Sequence, residues 1–391
     1  MRKVYLVEGL RTPFGSLGGS LADVHVAALG ATVIKGLVEK LQLDPSEIDE
    51  VILGEVLQGG SAQAPARQAM RMAGLPDKVH AMTVNKVCGS GMKSIMLADQ
   101  SIMLKDSEIA IAGGMESMSM APYALQKARF GYRLGDAPLI DLLVYDALQD
   151  PYSGKHMGLI TEDSITKNNI SRKEQDDYAI RSYELSQQAV NSGRFSLEIV
   201  PVIKSTKKGE VVIDKDEEPF KGDVSKIPSL KPVFKKDGSI TAGNASTIND
   251  GAAAVVLASE DAVKKYSFKP VAELLAYATN SIHPNDFGEA PVGAIQKILQ
   301  KSGLKKEDIG LFEINEAFAA VPLMAINQLG LDINKVNVNG GAVSIGHPVG
   351  ASGGRLTVTL AHEMRLRNVQ YGIATLCIGG GEAVAILLKL V

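Results

Sequence analysis

Short apolar runs alternate along the chain with stretches whose apolar residues recur every three to four positions. Val4-Tyr5-Leu6-Val7 predicts a strand. Leu21 to Leu41 predicts a helix, with Ala and Leu on one face and Lys35, Glu39 and Lys40 on the other. Val51-Ile52-Leu53, Ala81-Met82-Thr83-Val84 and Ile109-Ala110-Ile111-Ala112 predict three further strands, with a helix from Ser90 to about Lys105 before the last. Strands alternating with helices predict an α/β fold built on a parallel or mixed sheet covered by helices.

From about Ser117 to Asn249 this rhythm is lost, and Lys204 to Lys236 is rich in Lys, Asp and Pro. The stretch reads as a long insertion or lid, and long insertions in compact enzymes are usually functional or disordered. The last third returns to the first pattern. Ile309 to Glu313 resembles Ile48 to Ile52, and Val338-Asn339-Gly340-Gly341 stands where Val84-Asn85-Lys86-Val87 stood. Ile373 to Leu376, with Gly379-Gly380-Gly381-Glu382 after it, echoes Ile109 to Ala112 and Gly113-Gly114-Met115-Glu116. Three landmarks in one order predict two copies of one α/β unit.

Composition narrows the function. The 391 residues carry 41 Lys plus Arg against 44 Asp plus Glu, a net charge of -3, which argues against a nucleic-acid protein driven by a broad positive field. Apolar residues, at 45%, suffice for a core, so disorder is not expected. Glu8 and Arg11 interrupt the apolar run of a signal peptide, and Ala374 to Leu390 is too short and glycine-rich to span a bilayer. A cytoplasmic, reducing compartment is expected, with no membrane partner. Two cysteines, Cys88 and Cys377, exclude a disulfide framework and a zinc site built mainly on cysteine.

Glycine, 39 residues in all, clusters beside both cysteines. Asn85 to Gly91 follows a strand and opens a helix, so Cys88 is either a thiol whose pKa the helix dipole lowers or a small residue packing a corner. His347 lies in Gly340 to Gly353 and precedes Pro348, which disfavours helix there; it is either a general base or a residue that caps the loop. Cys377 ends an apolar strand before Gly379-Gly380-Gly381, an oxyanion-type turn or a core cysteine. Asn315 follows the strand Leu311 to Ile314 as a polar donor or a helix cap.

Together these segments resemble the thiolase family. The resemblance rests on Val87-Cys88-Gly89-Ser90-Gly91-Met92-Lys93, Ala112 to Ser119, Gly243-Asn244-Ala245-Ser246, Asn315-Glu316-Ala317-Phe318, Gly340-Gly341-Ala342 through Gly346-His347-Pro348, and Cys377 to Gly381. It runs from Arg11-Thr12-Pro13 to the C-terminus and is strongest to acetyl-CoA acetyltransferases. It implies duplicated α/β halves in a five-layer α-β-α-β-α sandwich. Residues 1–117, completed by about 250–270, would form one half and 271–391 the other, with 118–249 a loop domain covering coenzyme A.

The resemblance also implies roles. Cys88 would carry the acyl group as a thioester, His347 would take its proton, and Cys377 would remove an α-proton from a second acetyl-CoA. Asn315, through a water, and His347 would stabilise the enolate, and the N–H groups of Cys88 and Gly379 would form a second oxyanion hole. His156, Met157 and Ser246 match positions along the coenzyme A arm; Phe234, Phe287 and Phe318 match pocket walls, with Gly288 after Phe287 where the mitochondrial acetoacetyl-CoA type, which Val224 to Gly251 resembles, has Pro. Tyr183, Ala242, Gly243, Ala245 and Val343 match positions that hold potassium in that type. The implied reaction is condensation of two acetyl-CoA to acetoacetyl-CoA, the alternative a degradative 3-ketoacyl-CoA thiolase of broader chain length. No cofactor is required beyond the acyl-CoA substrates, and a homotetramer, a dimer of dimers, is implied.

Overall fold

The computed structural model describes residues 2–207 and 209–391. Among these, one mixed ten-stranded sheet runs in the order Leu311–Ile314, Tyr371–Ile378, Glu382–Leu390, Ala272–Ser281, Val4–Arg11, Asn249–Ser259, Ile109–Ser117, Glu50–Gly54, His80–Val84, with the two-residue strand Gly15–Ser16 pairing off the path. The order divides into two halves that meet only where Tyr5 and Leu6 pair antiparallel with Glu273 and Ala272. In each half parallel strands lead to an antiparallel pair. In the C-terminal half that pair, Tyr371–Ile378 and Glu382–Leu390, is joined by Gly379-Gly380-Gly381. In the N-terminal half Ile109–Ser117 pairs with Asn249–Ser259, and residues 118–248 stand in place of that turn.

Alternation along the strands sets the layers. Val51 and Leu53 pack outward with Leu29, Ile34 and Leu37 of the helix Val26–Leu41 and Met70 of Pro65–Met72. Ile52, between them, points inward to Met92, Ile95 and Ile102 of Ser90–Leu104 and Leu356, Leu360 and Met364 of Ser352–Arg367. The same inner layer takes Leu376 and Ile386 from the other half. Ile295 and Ile298 of Ala290–Ser302 cover its outer face against Ile373 and Leu387. Five layers result, helix–sheet–helix–sheet–helix. Both faces are buried along most strands, which read as near-continuous apolar runs, while His80–Val84 and Ala272–Ser281 stay partly exposed; truncating a core side chain such as Ile52 to Ala costs about 2–5 kcal/mol.

Two sequence expectations need correction. The first helix begins at Val26, not Leu21. His25 ends the preceding turn and caps the helix, its Nδ1 accepting from Ala27 N, while Leu21 is buried in the core without being helical. The middle segment also holds regular structure: helices Met157–Lys167 and Arg172–Asn191 and two hairpins. The second helix buries Ser182 and Ser186 beside Tyr178, Ala179 and Tyr183. A buried face of small polar residues gives little apolar periodicity. Among the described residues no helix is long and apolar enough to cross a membrane.

Candidate active site

The parallel strands deliver the reactive residues at their carboxyl ends, where sites form in α/β sheets. After His80–Val84 the chain turns sharply into the helix Ser90–Leu104. Val87 takes φ +47°, a left-handed conformation costly for a β-branched residue. Ser90 braces the turn, its Oγ donating to Val87 O at 2.6 Å and accepting from Lys86 N at 2.8 Å. Cys88 therefore stands on a fixed elbow. The helix behind it packs so closely that a Cβ on Gly91 would lie 2.8 Å from Gly350 O, on the loop that carries His347.

Cys377, 1% exposed, is the penultimate residue of its strand. Gly380 and Gly381, at φ +90° and +88°, make the turn that follows, a conformation open to glycine. The N–H of Gly379 is directed at the Cys88 sulfur, as is the N–H of Cys88 itself. His347 is held from three sides. Its N–H donates to Asn249 Oδ1 at 3.0 Å, its Nδ1 lies 2.5 Å from Ser352 Oγ, and its Nε2 lies 3.4 Å from Asn315 Nδ2. The amide of Asn315 is oriented by Arg355, which reaches Oδ1 at 3.5 Å while pairing with Glu313 at 3.0 Å.

Cys88, His347, Cys377 and Gly379 line one cavity of about 320 Å³. His156, Met157, Phe234, Ser246, Phe287 and Phe318 line it too. His156 stacks on Phe234 at 4.7 Å, and Phe318 meets Phe234 edge-on at 6.2 Å. Ser246 Oγ is committed to Ala317 O at 2.9 Å. Asn315 stays behind the cavity wall and touches it through His347. Tyr183, Ala245 and Val343 pack in one buried cluster, and Gly243 sits against Ile227 and Leu230, whereas Ala242 is exposed. Burial, then the charges of Glu218 and Glu316, push the Tyr183 phenol up to about 12.

The electrostatics overturn one expectation. The helix terminus was expected to lower the Cys88 pKa; instead burial pushes the thiol up to about 11. Loss of water outweighs the two N–H groups that favour the thiolate. Burial, and Cys88 across the cavity, push Cys377 well above the ordinary range. Burial, with Arg355 adding to it, lowers His347 to about 3. The resting site thus holds two neutral thiols and a neutral imidazole.

Three supports were not legible in the sequence. Glu116 accepts from Val56 N, Leu57 N and Gly350 N at 2.8–3.1 Å, tying the histidine loop to the N-terminal half. Glu316 accepts from Tyr178, Ser182, Asn337 and Val343 N, fastening the helix Arg172–Asn191 to the same loop. Ser352 orients the histidine ring. The first two lie in motifs that were legible, but their partners are distant in the chain.

The thiolase N-terminal domain profile matches residues 4–261 and the C-terminal domain profile residues 268–390. This chain belongs to the thiolase family. A probable acetyl-CoA acyltransferase of Staphylococcus aureus (strain NCTC 8325 / PS 47) is 46% identical, with all of this chain and 99% of that protein aligned. The mitochondrial acetyl-CoA acetyltransferase of Bos taurus is 48% identical, covering all of this chain and 92% of that one. Among solved structures, the Bacillus anthracis acetyl-CoA acetyltransferase superposes with TM-score 0.97 and human mitochondrial 3-ketoacyl-CoA thiolase with 0.96. Both are 42% identical, and each comparison covers 100% of this chain and 99% of the other. The five-layer thiolase architecture and the two-cysteine cavity therefore occur together in this chain.

Proposed function

We propose that this thiolase condenses two acetyl-CoA molecules into acetoacetyl-CoA and coenzyme A, and runs the reverse thiolysis, through a thioester on Cys88. The observation that carries this reading is the convergence of Cys88, Cys377 and His347 on one aromatic-walled cavity. His347 Nε2 takes the Cys88 proton as the sulfur attacks the thioester carbonyl. The carbon–sulfur bond to coenzyme A breaks, and the departing thiolate takes the proton of Cys377. Cys377, now a thiolate whose surroundings disfavour the charge, is a strong base and removes an α-proton from the second acetyl-CoA. The enolate attacks the Cys88 thioester, the Cys88 sulfur leaves, and it recovers its proton from His347. Asn315, through a water, and the N–H groups of Cys88 and Gly379 stabilise the oxyanions.

Segment 118–249 serves as the lid over coenzyme A, a reading supported by His156, Met157, Phe234 and Ser246 in the cavity wall. Self-association as a dimer of dimers is supported by the edge strand His80–Val84, paired on one side only among the described residues, and by the projecting Phe130 and Leu134, 90% and 99% exposed. Potassium would be held by carbonyl groups at Ala242, Gly243, Ala245 and Val343 with Tyr183, where two carboxylates supply a negative field; it would brace the lid and take no part in bond making.

Likeness to the human 3-ketoacyl-CoA thiolase keeps a broader chain-length reading open. Phe234, Phe287 and Phe318 in the cavity wall favour the short one, since their bulk leaves less room for a long acyl chain. Thiolysis of 3-ketoacyl-CoA substrates of increasing length, with and without potassium, separates them. Highest kcat/KM with acetoacetyl-CoA supports the proposal. Activity rising with length transfers it to the alternative, and no acyl transfer at all overturns both.

A further inference from the structure

A second cavity, of about 240 Å³, lies away from the cysteines, and its wall is polar. Three guanidinium groups surround it: Arg181 from the helix Arg172–Asn191, Arg194 just beyond that helix, and Arg367 at the last turn of Ser352–Arg367. Asn334, Asn339 and Gln188 complete the polar lining. One carboxylate answers these charges. Glu363 accepts Arg194 Nη1 on both oxygens at 2.8 Å and Arg367 Nε at 2.6 Å. Arg181 reaches only the carbonyls of Ile333 and Val336, through Nη2 at 2.8 and 3.0 Å. Its Nη1 is buried with no hydrogen-bond partner, and among the described residues it pairs with no carboxylate.

Ordinary structural roles account for part of this. Arg367 suits the negative end of its helix, and Arg194 with Glu363 ties two elements together. They leave the Arg181 donor and two surplus positive charges unexplained. A buried donor without a partner is costly, and a water in the cavity would not offset the surplus charge. An oxyanion in the cavity would offset that charge, and the planar donors of arginine match paired oxygens. Arg194 and Arg367 remain 37% and 38% exposed, so the cavity opens to solvent.

We propose that this cavity is an anion site that takes a phosphate or carboxylate group, separate from the acyl-CoA cavity. It sits where the helix bearing Tyr178 and Ser182 meets segment 334–339, which runs into the loop of His347. An anion bound there braces the lid helix against the C-terminal half.

Calorimetric titration of the full-length protein with inorganic phosphate, and separately with malonate, tests this at constant ionic strength. The expected result is saturable binding of one anion per chain that saturating coenzyme A leaves in place. The tighter of the two probes identifies the preferred group. Arg181→Met should weaken that binding roughly tenfold or more, the scale of a lost charge-assisted pair. Arg367→Gln should weaken it as well, and serves alone where Arg181→Met does not fold. Absence of saturable binding, displacement by coenzyme A, or unchanged affinity in the folded variants overturns the proposal.

Discussion

His347 Nδ1 stands 2.5 Å from Ser352 Oγ, and Ser352 Oγ is itself 2.9 Å from the carbonyl of Pro348. A hydroxyl has one proton to give. With that proton on the Pro348 carbonyl, Ser352 must accept from Nδ1, which places the imidazole hydrogen on Nδ1 and leaves Nε2 as the acceptor nitrogen, with Asn315 Nδ2 3.4 Å away. That is the tautomer a base for Cys88 needs. Ser352→Ala removes this bias while leaving the cavity unchanged. Single-turnover acylation of Cys88 should slow about three- to tenfold, the worth of one hydrogen bond. An unaltered acylation rate would show that the tautomer is set elsewhere.

The pH dependence follows from His347. Its folded pKa, near 3 against an ordinary 6.5, keeps it neutral wherever the protein is ordinarily handled. Acylation should therefore stay level between about pH 8 and pH 5, since the basic form is already fully populated. A histidine at its ordinary value would lose the basic form through that window and show a tenfold fall per unit below it. His347→Ala should reduce acylation by roughly 10²–10⁴-fold, the usual range for a lost general base. A full-speed variant would remove His347 from that role.

Cys88 and Cys377 should separate the two half-reactions. Brief exposure to radiolabelled acetyl-CoA, followed by peptide mapping, is expected to place the label on Cys88; label confined to Cys377 or to a lysine would contradict the assignment. Cys377→Ala should still accept the acetyl group, because Cys88 and His347 make the acyl bond and the departing coenzyme A thiolate can take its proton from solvent instead. Carbon–carbon bond formation should fall by orders of magnitude, and exchange of the acetyl-CoA methyl hydrogens with deuterated solvent should fall with it. Near-normal condensation by this variant would return Cys377 to a packing role.

Glu116 is expected to matter without touching substrate. Glu116→Ala strips the acceptor from three buried N–H groups, two at Val56 and Leu57 and one at Gly350. Stability to urea should drop by at least about 2 kcal/mol, because unsatisfied buried donors cost about 1–3 kcal/mol each. Acylation should slow as well, since Gly350 lies on the loop of His347. A variant with unchanged stability would mean that water replaces the carboxylate.

Local pattern was legible wherever both faces of an element are buried. Val51, Ile52 and Leu53 mark their strand because inward and outward side chains alike enter a core. The helix Arg172–Asn191 was not legible, because its buried Ser182 and Ser186 read as solvent-facing residues. Those serines are tolerated by their partners: Glu316 accepts from Ser182 at 2.7 Å from 134 residues away. The start of the first helix was misplaced because Leu21 is apolar at a helical spacing yet packs from a turn.

The sequence by itself determined the main strands and helices of the two α/β halves, the repeat, the glycine turns beside both cysteines, and the residue types available for chemistry. All of these follow from periodicity and from backbone freedom, which act over a few residues. Only the tertiary structure decided that Cys88, His347 and Cys377 share one cavity, and that the Cys88 thiol is raised rather than lowered. The physical reason is range. A helix terminus is a local feature and can be read from neighbours, whereas desolvation sums over every element packed around the thiol, including Gly379, Val56, Met118 and Val349 from distant parts of the chain.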